Sequence, residues 1–451
     1  MKVNALQGSL TRNIFLFAVP LMLSAIFQNL FSVADKAVLG HMAGEIAVAS
    51  IAATGTVTSL IINGAVGLSA GTSIVLARFI GQGDKEKIRA TIDTALITSL
   101  AIGALVAVAG FFLTPVFLTA TECPEECYEG AVIYMRIVLA AAPATLLYNY
   151  GAAILRTLGD TSKNLLYITI AGVVNVVLNV VLCLILQQKV IAVAVATAIS
   201  NLISGVLIVG RIFQVEGRKK EDMLRLHVTF TSLGKIIRFG IPSAISSLVL
   251  PLGNVQITTA INSYGAAAVA GHAGAISVEM VAYAVVSGFS SATITFMGQN
   301  IGAKNIARVR KTFWLCMLYS FLIAGLLGIL TYWTGEFWLK LVLGKASADA
   351  VAYGMSRLFY VAQFMFIHAI STVLTGALNA FGYPVFTSIT NIIFNLGFRV
   401  LWMQAVYPQS PKYTTIMLCY PVAWILNMIF YVIAVFFVYR RYVKTGVCKK
   451  I

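Results

Sequence analysis

Long apolar runs occupy most of this 451-residue chain and restrict it to very few folds. About 20 apolar residues in a helix cross the hydrocarbon core of a bilayer. A backbone in lipid has no water to bond to, so only helices or closed barrels can cross it. We therefore predict an all-α polytopic membrane protein with 12 transmembrane helices. The predicted spans are 14–39, 47–77, 91–113, 131–155, 164–186, 190–210, 239–263, 268–298, 312–333, 351–378, 385–404 and 415–439.

Basic residues give the chain a net charge of +16. Most of them lie between the apolar spans, so we exclude nucleic acid as a partner. Segments 1–13, 78–90, 156–163, 211–238, 304–311 and 440–450 hold 24 of the 32 basic residues, and the alternate breaks hold 4. Positive residues stay on the cytoplasmic side of a membrane. We therefore predict a multi-pass protein of the cell membrane with both termini in the cytoplasm.

The two halves of the sequence repeat each other. The segment that begins at Gly67 resembles the one at Gly288, and the offset stays between 221 and 223 from Pro20 to Gly159. Each half has six predicted spans, so the halves have the same orientation and form two bundles related by pseudo-twofold symmetry. Such parallel repeats are typical of transporters that work by alternating access.

The longest polar break falls at mid-chain and separates the two sets of six spans. The predicted domains are a bundle at 1–215, a basic linker at 216–238 and a bundle at 239–451. We expect the protein to be a monomer.

Asp35 is a carboxylate inside the first apolar span. A charge there is costly, so it marks a functional candidate. Its repeat equivalent is Ile257, which suggests one coupling site confined to the first half. Asn175 and Asn179 lie four residues apart in the fifth span and share a helix face, and Thr197 lies in the sixth. Carboxylate, amide and hydroxyl oxygens can ligate Na⁺, and the carboxylate alone can take up a proton.

Charged residues in the second half suggest weaker candidates. Glu279 is either a cation-recognition group in a substrate cleft, a partner of His272, or a residue near an outer helix end. Arg399 is predicted to be a structural or gating ion-pair partner at that cleft. Arg136 and Arg357 are repeat equivalents, for which we predict snorkelling at the membrane interface. Four more polar residues are predicted to line a cavity: Tyr148, Asn149, Gln363 and His368.

Two Gly-containing loops, at 81–84 and 302–304, lack the spacing of a phosphate-binding loop. We predict that they are turns which cap long helices. Since nothing resembles a nucleotide site, we expect no cofactor and a transport cycle driven by an ion gradient. Cys123 and Cys127 share one acidic loop, where a disulfide or metal site is an alternative to ordinary loop residues.

Several motifs together resemble the multidrug and toxic compound extrusion (MATE) family over nearly the whole chain. They are Pro20 followed by Asp35, AVASIAATG, GxSxGxSxxxAxxxGxGD from Gly67 to Asp84, LRTLGDT, and FMGQNIGA. The resemblance implies antiport of organic, often cationic, drugs against Na⁺ or H⁺, with a cation site at Asp35, Asn175, Asn179 and Thr197. Some members have an Asp where this chain has Asn179, which leaves both ions open. Some have an acid in the seventh span, which this chain lacks.

Two other functions compete with a drug antiporter. A flippase for lipid-linked oligosaccharides has a related fold, but such proteins often have extra spans and a strongly cationic cleft. A membrane-embedded enzyme or receptor needs clustered histidines or paired carboxylates, whereas the four histidines are scattered singly. We therefore predict a secondary multidrug efflux transporter and no enzymatic activity.

Overall fold

All regular structure in the described part of the chain is helical. The computed structural model describes residues 3–42, 44–121, 123–218, 226–344 and 347–445, apart from the side chains of residues 35–37, 39, 45, 56 and 250. The long helices follow the apolar runs because a helix satisfies its own backbone hydrogen bonds in lipid. The prediction of an all-α membrane protein is confirmed.

The helices are named in chain order. The first group is α1 Leu10–Met42, α2 Gly44–Ala53, α3 Gly55–Gln82, α4 Lys85–Ala120, α5 Glu125–Ala140, α6 Ala142–Thr157, α7 Thr161–Ile185 and α8 Lys189–Glu216. The second group is α9 Phe230–Asn262, α10 Ala266–Gly302, α11 Ile306–Trp333, α12 Gly335–Leu343, α13 Ala348–Arg357, α14 Met365–Ala380, α15 Pro384–Asn391, α16 Phe398–Leu401 and α17 Tyr413–Thr445. Three π-helical segments, at Leu358–Ala362, Ile392–Gly397 and Trp402–Val406, interrupt the later helices.

The described residues contain ten helical stretches long and apolar enough to cross a membrane, or up to twelve if each of two bent pairs is one span. The α5–α6 pair bends by 48°, and the pair formed by Ala348–Ala362 and Met365–Ala380 bends by 44°. The sequence predicts an unbroken span at both places. In the first, Pro143 at the start of α6 favours a new helix, because proline cannot bond to the preceding turn.

The repeat is visible in turns as well as in sequence. Gly83 and Lys304, which the repeat aligns at an offset of 221, both have left-handed backbones with φ of 72° and 56°. Gly159 and Gly382, which it aligns at an offset of 223, have φ of 84° and 89°. The same turn geometry therefore closes equivalent helix pairs in the two halves.

The turns at 81–84 and 302–304 lead directly into capped helices. The Asp84 carboxylate accepts a hydrogen bond from the backbone N–H of Lys87 at 3.1 Å, and the Asn305 side chain accepts one from Arg308 at 3.0 Å. Such bonds satisfy donors that a helix start leaves open. The Lys87 ammonium also hydrogen bonds to Asp84 and lowers the pKa of that carboxyl. The prediction that these loops cap long helices is confirmed.

The chain divides into two compact units. The described residues of the first unit are those of Leu23–Phe79 and Asp84–Ala244, and those of the second are Val3–Met22, Ile80–Gly83 and the described chain from Ile245 onward. In the first unit, α3 and α9 approach closely: a Cβ on Gly67 or Gly71 would lie 2.4 Å from the backbone of Ala244 or Gly240. The glycines of the GxSxG motif thus permit close helix packing.

The core of the second unit includes the start of the chain. Phe17 of α1 stacks edge-on against Phe296 of α10, with ring centroids 5.3 Å apart. Both side chains are fully buried, together with Ile14 and Phe289. The Asn300 amide donates to the backbone carbonyl of Ala5 at 3.1 Å, which fixes the segment before α1. Aromatic packing and this hydrogen bond therefore position the first half of α1.

Candidate functional site

A cavity of about 400 Å³, lined by polar as well as apolar residues, lies in the first unit. Helices α1, α3 and α5 to α8 line it, and none of the lining residues carries a formal charge. Its polar lining residues are Gln28, Ser32, Thr58, Tyr134, Thr145, Tyr148, Asn149, Asn175, Thr197, Ser200, Asn201 and Ser204. The cavity thus offers hydroxyl and amide oxygens, which are ligands that hard cations accept.

Asn175 and Asn179 stand one turn apart on α7. The Asn179 amide donates to the Asn175 side-chain oxygen at 3.4 Å, and both residues are buried, with Asn179 fully enclosed. Asn175 lines the cavity, and Asn179 is not one of the lining residues. Their shared helix face is the one that the four-residue spacing predicts. The second asparagine can therefore orient the first.

Thr197 of α8 lines the same cavity as Asn175. One turn further on, the Asn201 amide donates to the Thr145 hydroxyl at 3.0 Å, which connects α8 to α6. Tyr148 and Asn149 also belong to this lining. The structure therefore brings together four of the residues singled out by sequence, from α6, α7 and α8.

Two residues of the cavity, Gln28 and Thr145, are not among the predicted site residues. Gln28 of α1 donates to the Tyr148 hydroxyl at 3.4 Å, and Thr145 accepts from Asn201. Gln28 is a polar residue inside the first apolar span, as Asp35 is, and that feature marks both. Thr145 could not be distinguished from the many hydroxyls that bond to their own helix.

The backbone of Asp35 belongs to α1, and the side chains of Asp35 and Lys36 lie outside the described part of the structure. The cavity is lined by Phe31 and Ser32 of the same helix. The role predicted for Asp35 therefore stays a prediction.

A second polar cluster lies in the interior of the second unit and contains Glu279. The Glu279 carboxylate accepts a hydrogen bond from the Arg357 guanidinium at 2.8 Å, and the two side chains are 0% and 4% exposed. A nitrogen of the same guanidinium lies 3.3 Å from His272, whose ring is 3.3 Å from the Tyr413 hydroxyl. Burial of two charges is costly unless they pair and hydrogen bond, so this contact neutralises Glu279.

Arg357 corrects one sequence prediction. It does not snorkel at the interface, because it is 3% exposed and pairs with Glu279. Its repeat equivalent Arg136 is only partly buried and donates to the backbone carbonyl of Phe111 at 3.3 Å. The two arginines occupy equivalent positions and have different environments.

Arg399 lies in the same interior and is 2% exposed. It donates to the Asn254 side chain at 2.7 Å, and its guanidinium carbon is 4.7 Å from the centre of the Tyr420 ring. Arg357 lies 5.0 Å from that ring. Among the described residues, Arg399 forms no ion pair with an acid. Tyr420 therefore contacts two buried cations.

π-Helical segments lie close in sequence to both Arg357 and Arg399. A π-helical segment begins directly after Arg357, and two others enclose the short helix α16 that carries Arg399. A π segment adds a residue to a turn and occurs often at functional sites. The extra residues shift the register of the side chains, which is one way in which an arginine of a lipid-spanning segment comes to face protein.

The remaining predicted residues of the second half lie in the second unit. His368 has ring contacts at 4.8 Å to Trp424 and 5.5 Å to Tyr283. Gln363 follows the first π segment and is partly buried. Cys123 lies in the loop between α4 and α5, whereas Cys127 is buried in the first turn of α5, so the two do not share one loop; both are free thiols, which rules out the disulfide alternative in this structure. Burial raises the pKa of the Cys123 thiol.

Comparison with known sequences gives one family. The MatE family model matches residues 20–181 and 242–402, so that it covers both halves of the chain. The two matches begin at Pro20 and Pro242, and their spacing lies within the offset range of the internal repeat.

Individual relatives are similar over most of the chain. The sequence is 25% identical over 389 residues to "Probable multidrug resistance protein YpnP" of Bacillus subtilis, which covers 86% of each chain. It is 28% identical over 310 residues to an "FAD transporter" of Shewanella oneidensis, which covers 66% of this chain and 67% of that one. A solved structure in the "outward-facing conformation of a multidrug resistance MATE family transporter" matches with a TM-score of 0.85 at 22% identity, covering 96% of this chain and 99% of that one.

Proposed function

This chain belongs to the MatE family of multi-pass membrane transporters and is not an enzyme, and from that premise we propose that it exports small organic compounds in exchange for Na⁺ or H⁺. The Bacillus relative is named a probable multidrug resistance protein. The transport is secondary: two bundles alternate between inward and outward access, and an ion gradient drives the cycle.

The uncharged cavity of the first unit carries this proposal. Asn175 and Thr197 line the same cavity, and the Asn179 amide donates a hydrogen bond to the Asn175 side-chain oxygen. We assign the coupling ion to these three residues together with Asp35. A bound cation at this place neutralises the carboxylate, so that occupancy and the conformation of the bundle depend on each other.

Efflux from vesicles tests the coupling. Purified protein is reconstituted with a fluorescent organic cation such as ethidium inside, and a Na⁺ gradient and a pH gradient are imposed separately. We expect one gradient to accelerate efflux and Asp35→Asn to abolish that acceleration. Asp349→Asn removes an exposed carboxylate at the start of α13 and serves as the matched control. Wild-type acceleration in Asp35→Asn would overturn the assignment.

An anionic substrate is the second candidate, and one observation favours it. The described cluster around Tyr420 holds two buried guanidinium groups, Arg357 and Arg399, against the single carboxylate of Glu279. A net positive interior attracts an anion, and a relative at 28% identity is named an FAD transporter. Under this alternative the same vesicles transport FAD, and Arg399→Gln lowers that rate while ethidium efflux is absent.

The same vesicles separate both candidates from a flippase. A lipid-linked oligosaccharide with a fluorescent sugar is placed in one leaflet, and its movement is followed by quenching from outside. Flipping of this lipid without efflux of ethidium or FAD would replace both transport proposals.

A further inference from the structure

A second cavity, of about 680 Å³, lies in the second unit between α11 and α17. Helices α10 and α14 form its floor, and α14 packs against α11 on one side and α17 on the other. Its walls are apolar side chains such as Phe313, Met317 and Val432. Trp314 and Val432 on its rim are 60% and 49% exposed, so the cavity is a groove that opens to the outside of the unit. We call it the α11–α17 groove.

Two arginines line the α11–α17 groove. Arg310 lies near the start of α11 and Arg440 near the end of α17, and both are exposed. The Arg440 guanidinium lies 4.2 Å from the centre of the Phe436 ring, which is also part of the lining. Among the described residues, neither arginine forms an ion pair. The groove thus combines an apolar floor with two positive charges that no carboxylate of the described chain neutralises.

At the equivalent place in the first unit, an arginine pairs with two carboxylates. There the Arg218 guanidinium contacts Asp93 at 2.5 Å and Glu216 at 2.6 Å, and the Arg218 and Asp93 side chains are only 2% and 4% exposed. At the repeat offsets of 221 and 223, Asp93 and Glu216 correspond to Trp314 and Tyr439. Both of these line the α11–α17 groove. The positions of the two acids that contact Arg218 in the first unit are therefore occupied by aromatic residues in the second.

The basic residues, in contrast, are present in both units. Arg89 corresponds to Arg310 at an offset of 221, and Arg89 attracts Glu216 in the first unit. The end of α17 supplies Arg440 and Arg441, and Arg441 corresponds to Arg218 at the offset of 223. The second unit thus keeps the basic residues and has aromatic residues at the positions of the two carboxylates. The open apolar groove lies between α11 and α17, which carry these residues.

We propose that the α11–α17 groove binds an anionic phospholipid, with an acyl chain along its apolar floor and the phosphate between Arg310 and Arg440. An acyl chain matches the lining because its methylenes give up no polar contact when they pack against apolar side chains. The phosphate supplies the negative charge that Asp93 and Glu216 supply in the first unit. Basic pockets between membrane helices bind phospholipid headgroups through the same chemistry.

Native mass spectrometry of the delipidated full-length protein tests this proposal. Dioleoyl-phosphatidylglycerol is titrated in detergent, with dioleoyl-phosphatidylcholine as the neutral lipid. We expect tight binding of phosphatidylglycerol and at least roughly tenfold weaker binding in Arg310→Gln/Arg440→Gln, because each basic residue near a membrane surface strengthens anionic lipid binding about fivefold. Arg310→Lys/Arg440→Lys keeps both charges and should retain most of the affinity.

Two further variants locate the site. Arg441→Gln removes the same charge from the next residue of α17, which does not line the groove, and should leave the affinity unchanged. Val432→Trp fills the groove without altering charge and should weaken binding. Equal losses in Arg441→Gln and in the double glutamine variant would overturn the proposal, because attraction would then be a property of the whole surface. Unchanged binding in Val432→Trp, or displacement of the lipid by millimolar inorganic phosphate, would also overturn it.

Discussion

Glu279 and Arg357 hold opposite charges in the interior of the second unit, and each depends on the other to remain there. Their contact measures 2.8 Å, and one carboxylate oxygen of Glu279 has no hydrogen-bond partner among the described residues. A buried ion pair often contributes little net stability, because desolvation offsets the attraction. Removal of one partner is different, since it leaves an uncompensated charge away from water.

Arg357→Met should destabilise the protein by about 3–5 kcal/mol, because Glu279 would stay buried without a partner. Glu279→Gln/Arg357→Met removes both charges and should recover most of that loss. The melting temperature of purified protein in detergent, followed by tryptophan fluorescence, measures both effects. A double variant no more stable than Arg357→Met would show that the pair is not the source of the loss.

Asn175→Ala should weaken ion coupling roughly tenfold. The change removes an oxygen from the cavity lining, together with the hydrogen bond that this oxygen accepts from Asn179 at 3.4 Å, and the loss of one hydrogen-bonding group costs on the order of 1 kcal/mol. The ion concentration that gives half-maximal gradient-driven efflux is the measurement. Asn63→Ala, at a partly buried position of α3 outside the lining, is the matched control. An equal effect in the two variants would contradict a specific role for Asn175.

Single residues differ in how far the sequence could place them. The four-residue spacing of Asn175 and Asn179 fixed a shared face, because a helix repeats every 3.6 residues. The partner of Glu279 could not be read in this way. Arg357 is 78 positions further along the chain and lies in another helix. Its position near a predicted span end suggested the interface, and only tertiary packing shows it facing the interior.

Three glycines in α3 and in the turn after it differ in what an added Cβ atom would do to the structure. A Cβ on Gly64 or Gly83 would meet no atom within 4 Å, but Gly64 has an ordinary helical backbone whereas Gly83 has φ of 72°. Gly71 has helical geometry, and its Cβ would lie 2.4 Å from the backbone of Gly240. The three positions therefore differ in helix propensity, backbone strain and steric clash.

We expect the three alanine variants to change the stability of the protein by different amounts, and one of them in the opposite direction to the other two. Gly64→Ala should stabilise the protein by up to about 1 kcal/mol, because alanine favours a helix. Gly83→Ala should cost about 1 kcal/mol of left-handed strain, and Gly71→Ala about 1–3 kcal/mol, since α3 and α9 must separate. Melting temperatures in one detergent rank them. A stable Gly71→Ala protein would contradict the close approach of the two helices.

The sequence predicts the bends within the helices only in part. The bend before α6 has a local signal in Pro143. Its counterpart between α13 and α14 has none, since no proline or glycine occurs between Leu358 and Met365. The π segments there depend on tertiary contacts, which hydropathy does not encode. Apolar runs thus predicted the approximate positions of the spans. They could not show that two of them are bent, or that the predicted span 47–77 is interrupted at Thr54, between α2 and α3.

The whole molecule is a duplicated scaffold whose two units carry different chemistry. The turns at Gly83 and Lys304 keep one geometry, and both halves match the same family. Internally the units diverge: an uncharged cavity occupies the first, and the Glu279–Arg357 pair with Arg399 occupies the second. Packed interior positions tolerate little change in a shared fold. The two units therefore differ in their polar residues, which the packing of the repeat does not constrain.

Membrane topology is a property of the whole chain, and the distribution of basic residues predicts it. We expect both termini and the turn at residues 81–84 to lie in the cytoplasm, and the loop before α17 to lie outside. Cysteines introduced as Lys85→Cys, Thr445→Cys and Gln409→Cys test this with a membrane-impermeant maleimide. The background contains serine in place of Cys123 and Cys448, since the other four cysteines are buried.

Only Gln409→Cys should react in intact cells, whereas Lys85→Cys and Thr445→Cys should react after permeabilisation. All three native positions are exposed, so access across the membrane and not burial decides the outcome. The 24-to-4 ratio of basic residues makes the inverted arrangement costly, because it would place most of them on the outer side. Labelling of Lys85→Cys in intact cells would contradict this orientation. Labelling of Lys85→Cys and Thr445→Cys from opposite sides would contradict an even number of spans between these two positions.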